Sequence, residues 1–212
     1  MKINYKKVFC AVLAVFICCL IPLARVHSKD NTAGQQPAEA SYKKFSLNSE
    51  LSVLYPDCFE VLYPGPLQNI ISQQIANRSN VKLMFFAANG AGGDPKTAIS
   101  ESEYQQEVKM EDVINKLDSD AAAFGSIQKT EILAVTPVSA ELVSSVFTGD
   151  GDIFKSKSRL LAVLSPDKKK FRVYYVSAGA SFNNYFKYLP VIDSIIESAV
   201  IVEDGNESNG GK

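Results

Sequence analysis

Imidazole and thiol are the side chains that most often move protons or hold metals near neutral pH. This chain of 212 residues is short of both, with one histidine, His27, and four cysteines, Cys10, Cys18, Cys19 and Cys58. His27 and three of the cysteines fall within residues 1–28, which read as an export signal. Lys2, Lys6 and Lys7 form a basic start, Val8 to Ala24 is an uncharged apolar run of 17 residues, and Val26 and Ser28 put small residues three and one before a cut at Lys29. The cleaved chain keeps Cys58 and no histidine. Ser-His-Asp and Cys-His mechanisms are then excluded, as are histidine-based zinc sites and an internal disulfide. An uncleaved membrane anchor is the competing reading of the same segment, although Pro22 and the short apolar run suit a signal better. No cysteine there follows a small residue as lipid attachment requires.

Carboxylates are the remaining candidates for proton transfer. Asp118 and Asp120 are the nearest pair, but two residues apart on a helix they point to different sides. No metal site or cofactor is expected. Asn89 to Thr97 (NGAGGDPKT) resembles a phosphate loop only until Pro95, which stands where the second glycine must offer its N–H; the segment reads as a mobile surface loop. Gly149 to Asp152 (GDGD) lacks the further acids of a calcium loop and reads as a turn. Cys58, with no basic partner to lower its pKa, reads as a partly buried small residue in the turn between Pro56 and Phe59.

One cluster stands out. Lys155, Lys157, Arg159, Lys168, Lys169, Lys170 and Arg172 gather around a single expected hairpin. A basic ridge suits an anionic membrane face or an acidic partner, whereas the more ordinary role of such lysines is to keep a hairpin edge from pairing with other chains. Nucleic acid is disfavoured by net charge. Removing residues 1–28 takes four of the 22 basic residues and none of the 23 acids, leaving 18 against 23, a net of −5.

The elements that position these residues alternate in type. Residues 29–42 are a polar tether, 43–202 one domain and 203–212 a polar tail. Phe45 to Leu47 and Leu51 to Tyr55 read as a hairpin, and Leu67, Ile70, Ile71 and Ile75 as one helical face. Val81 to Ala88 is a strand, and Ser100 to Met110 a solvated approach, with a strand-like start as the alternative, to a helix striped by Met110, Val113, Ile114, Leu117, Ala121 and Phe124. Strands follow at Ile127 to Val135, Val138 to Thr148, Arg159 to Leu164 and Phe171 to Ala178, with Val138, Ala140, Leu142 and Val146 on one face. A last amphipathic helix carries Phe182, Tyr185, Phe186, Leu189, Ile192 and Ile196 on its apolar side, with Pro190 expected to kink or split it. Short turns between the late strands make them antiparallel, giving an α+β fold, an antiparallel sheet flanked by helices.

Two stretches carry a resemblance. LSVLYPDCFEVLY (Leu51 to Tyr63) resembles the opening of PsbP-like and DcrB-like exported proteins, with Phe59 where that turn carries tryptophan. RVYYVSAGASFNNYFKYLPVIDSIIESAVI (Arg172 to Ile201) resembles their closing strand and helix, including Ser198. The resemblance implies a PsbP-like sandwich and an accessory or binding role. The expected protein is exported, monomeric and non-enzymatic, does not span the membrane once mature, and recognises an unidentified protein or envelope component. Tyr174, Tyr175, Tyr185, Tyr188 and the loop from Asn89 to Lys96 are further candidates for the contact. The alternatives are a carboxylate-dependent hydrolase and an N-terminally anchored interaction protein.

Overall fold

The computed structural model describes residues 41–47, 50–66, 68, 81–90, 93–123, 128–147, 153–164 and 170–202, and the side chains of all these except 81, 118–123 and 128. The export signal, most of the tether, the expected helix at Leu67 to Ile75 apart from Gln68, the Gly149–Asp152 turn and the polar tail lie outside them. The elements run β1 (Tyr42–Leu47), β2 (Leu51–Pro56), β3 (Phe59–Tyr63), β4 (Val81–Asn89), β5 (Gly93–Tyr104), α1 (Met110–Ala123), β6 (Gln128–Val135), β7 (Ser139–Phe147), β8 (Ile153–Leu164), β9 (Phe171–Ser181), α2 (Phe182–Ser198) and β10 (Val200–Ile201). Two sheets form, β1–β2–β10 and β3–β4–β5–β9–β8–β7–β6, and every pairing in them is antiparallel. The fold is α+β, as its alternation of local patterns requires.

Period-two alternation assigns the two faces of the large sheet. On one face Met110, Val113, Ile114 and Leu117 of α1 pack on Ala140, Leu142, Leu160, Phe171, Val173 and Tyr175. On the other, Tyr185, Ile192, Ile195 and Ile196 of α2 meet Phe85, Ile99, Leu161, Tyr174 and Val176, with Leu51 and Val53 of the small sheet joining the same core. Ser198 fixes the far end of α2: its hydroxyl accepts from the Leu54 N–H at 2.8 Å and donates to the Ile195 carbonyl at 2.7 Å.

Several expectations need correction. Gly93 to Thr97 is no mobile loop, and Ser100 to Tyr104 is the strand-like alternative and not a solvated approach. Both belong to β5, the strand between β4 and β9, where Thr97, Ser100, Glu101 and Ser102 are buried. Small hydroxyls fit between two neighbouring strands when the backbone is paired on both sides, and Thr97 Oγ1 also donates to the Ser177 carbonyl at 3.0 Å. The turn before β5 needs Gly90, whose φ of 64° lies in the left-handed region. Strand β8 starts at Ile153 rather than Arg159, because Phe154, Ser156 and Ser158 alternate inward between outward cations. Val138 is exposed in the turn after β6, away from Ala140, Leu142 and Val146. Cys58 is exposed rather than partly buried. Pro190 does not split α2. It sits on the exposed side with Phe186, so water can replace the hydrogen bond that the Phe186 carbonyl loses.

Candidate docking face

Strand β8 points Lys155, Lys157 and Arg159 toward the face that carries α2, since they alternate with the inward Phe154, Ser156, Ser158 and Leu160. Two of the three are spoken for. Lys157 Nζ lies 3.0 Å from Asp193 Oδ1 on α2. Arg159 Nε stands 3.8 Å from Glu141 Oε1, within ion-pair range but too far for a hydrogen bond, and its Nη1 donates to the Glu197 carbonyl at 3.4 Å. Lys170 pairs with Glu103 at 2.9 Å, and Arg172 with Glu50 in the β1–β2 turn. Lys168 and Lys169 lie outside the described residues.

Lys155 differs. Its ammonium stands 4.9 Å from the centroid of the Tyr185 ring and 5.3 Å from that of Phe186, and no described carboxylate pairs with it. The five described cations are thus differently engaged along the sheet. Lys155 and Val163, the residue paired with Arg172, are eight positions apart on β8, roughly 26 Å at the usual rise.

Around Lys155 the surface is aromatic. Phe186 is 65 % exposed, Phe182 50 % and Phe147 46 %. Phe182 and Phe186 are one turn apart on α2 and so share a side of it. Phe147 ends β7 on the same face: Ser145 pairs with Lys155 and Phe147 with Ile153, which makes Phe147 a diagonal neighbour of the lysine. Tyr185 meets Phe186 edge to face, centroids 5.6 Å apart and planes at 84°. Burial, with Asp193 adding to it, pushes the Tyr185 phenol above its ordinary pKa, so it stays neutral beneath the cation.

The start of α2 is held in place by Asp94. Its carboxylate accepts from the Ser181 N–H at 3.0 Å, the Ser181 hydroxyl and the Asn184 side-chain amide at 3.0 Å. A carboxylate at a helix start satisfies donors that the helix cannot, and complements its dipole. Asp94 and Asp193 are thus both engaged inside the protein, and Lys155 is left facing outward among rings. Gly179 on β9 permits the close packing behind this region. A Cβ there would meet the Lys155 carbonyl oxygen at 2.5 Å and the Phe154 ring at 2.8 Å.

Sequence periodicity had placed Phe182 and Phe186 on the core side of α2, and the structure places them on the rim. The angular signal was present. At 100° per residue they lie roughly 80° and 120° from the mean direction of the buried Tyr185, Ile192, Ile195 and Ile196. Of the other aromatic candidates, Tyr174 and Tyr175 are buried in the two cores, and Tyr188 is half-buried beside Lys187. Of the candidate loop, Asp94 and Lys96 are in β5, Lys96 with its ammonium 5.7 Å from the Phe154 centroid. Among the described residues no group of three His, Cys, Asp or Glu side chains is placed to hold a metal, and no helix is long and apolar enough to cross a membrane.

No family model and no curated protein matches the chain. Among solved structures it is similar to LpqN of Mycobacterium tuberculosis, a protein involved in cell envelope biogenesis, at 11 % identity and a TM-score of 0.47 over 79 % of this chain and 87 % of that one. It is also similar to the Saccharomyces cerevisiae Ran-binding protein Mog1p, at 8 % identity and a TM-score of 0.42 over 77 % and 97 % of the two chains.

Proposed function

We propose that this is an exported, non-enzymatic accessory protein of the cell envelope, of the PsbP-like or DcrB-like kind, that holds an envelope component against the aromatic face of α2. The observation that carries the reading is the group of three exposed phenylalanines around Lys155. Single exposed apolar residues are ordinary on protein surfaces, whereas adjoining ones mark contact sites. Burying what remains exposed of each ring is worth on the order of 1 kcal/mol. Contact of Lys155 with the rings gains as well, from about 0.5–1 kcal/mol in water to about 2 when water is excluded. The export signal and the resemblance at both ends of the domain support the location and the class.

The test is a photo-reactive residue at position 186 in the exporting cell, with position 44 on the exposed edge strand β1 as control. A single envelope adduct from position 186, weakened by Phe182→Ser and by Lys155→Glu, is the expected result. Equal labelling from both positions would remove the aromatic face from consideration. Changing Lys168, Lys169 and Lys170 to Glu separates the face from the basic ridge: the adduct survives if the face is the contact and fades if the ridge is.

A further inference from the structure

Strand β6 is the last strand of the large sheet and, among the described residues, pairs only with β7. Its described side chains are exposed apart from the half-buried Thr130, and Ile132, Leu133 and Val135 are large and apolar. Every second residue of such a strand turns its N–H and C=O away from the sheet, which makes the edge a template for another strand. A register shift between Ile132 and Ala134 leaves Gln128 to Ile132 as the regular stretch. Lys129 and Glu131 project from one side of it, exposed, and neither makes an ion pair with a described residue.

That stretch is complementary to itself. An antiparallel copy related by a two-fold axis through Thr130 sets Lys129 opposite Glu131 of the second copy, and Glu131 opposite its Lys129. Gln128 and Ile132 complete the pairing, with Ile132 diagonal to the second copy's Thr130. Centred on Glu131, the two carboxylates would oppose each other. Centred on Ile132, both charges would face Leu133 or Val135, and the pairing would run through the register shift. The other long edges lack this property. β1 carries Lys43 and Lys44 with no acid, and β3 carries Glu60 with no base, so no register of either with itself sets a base opposite an acid. We propose that β6 pairs with β6 of a second copy of this chain about Thr130, joining two seven-stranded sheets into one continuous sheet by an isologous contact. The inference does not rest on the aromatic face, which belongs to β7, β8 and α2.

Sedimentation of the purified exported chain across the micromolar range tests it. The native protein is expected to be a dimer, in place of the monomer expected from sequence. Lys129→Glu alone and Glu131→Lys alone each set like charges opposite twice, and should weaken the dimer roughly tenfold or more. The double exchange restores both pairs and the dimer. Mixing the two single variants should also restore it, because one copy then offers two acids where the other offers two bases. A monomeric native chain, a dimer indifferent to the single reversals, or single variants that neither the double exchange nor mixing rescues would each overturn the pairing. All three variants change exposed residues, and recovery in the mixture itself shows that both partners are folded.

Discussion

Lys155 and Arg172 lie on adjacent strands and on the same face of one sheet, yet the protein uses the two ends of that face differently. At the Arg172 end the charges are consumed internally. Glu50 takes the guanidinium with one carboxylate oxygen and the Tyr174 hydroxyl with the other, at 2.7 Å, and its own carbonyl accepts from the Val202 N–H at 2.7 Å. One side chain thereby fastens the small sheet to the large one. At the Lys155 end the nearby carboxylates serve the helix or another lysine, and the cation is left among exposed rings. A basic residue is structural or available according to which acids the fold delivers to it, and charge clustering in sequence does not say which.

This contrast can be broken or sharpened. The largest expected effect is at Glu50. Glu50→Ala leaves a half-buried guanidinium and a buried phenol without their acceptor, and should cost about 2–3 kcal/mol in chemical denaturation; a cost near zero would remove the distinction between the ends. Asp94→Ala should cost about 1–2 kcal/mol, since the start of α2 loses its carboxylate. It should also weaken the position-186 adduct, because Phe182 and Phe186 are aimed by that helix turn.

Tyr174→Phe should cost about 1 kcal/mol, as Glu50 keeps Arg172. Burial first, and then the hydrogen bond to Glu50, hold the Tyr174 phenol well above its ordinary pKa. The folded state therefore binds this proton more tightly than the unfolded chain. The contribution is complete below the unfolded value near 10 and is lost as pH rises beyond it. The alkaline slope of stability should flatten in the Phe variant. At the other end, Phe186→Ser and Lys155→Ala should each change stability by no more than about 0.5 kcal/mol while the adduct falls.

The smallest effect belongs to Lys170. Its hydrogen bond, partly opposed by desolvation, holds the Glu103 carboxyl below its usual value. The stabilisation is present above the unfolded pKa and lost as pH falls through the folded one. Lys170→Ala should therefore differ from the native protein at neutral pH and converge with it in acid.

Much of the architecture was legible because apolar periodicity reports it directly. The stripes of α1 and α2 have helical spacing, and Val81 to Ala88 is an apolar run of strand length. Strand β5, beyond a strand-like alternative at Ser100, was hidden for the opposite reason: it buries Thr97, Ser100 and Ser102, whose polarity imitates a loop, and its place in the sheet is set by partners far along the chain. The first half of β8 did alternate, but lysine and serine in alternation resemble a solvated run as much as a strand. The ion pairs were beyond reach, since Arg172 finds its acid 122 residues away and Lys157 finds its own 36 away. The exposed Phe182 and Phe186, by contrast, could have been read from helical angles alone.

Strand β9 ends at Ser181 and α2 begins at Phe182, with no residue between them. A load placed on Phe186 therefore enters the sheet through β9, which is matched at nine positions by β5 and at eleven by β8. A cargo gripped by the rings would thus pull on a strand held by a ladder on each side, not on an edge strand.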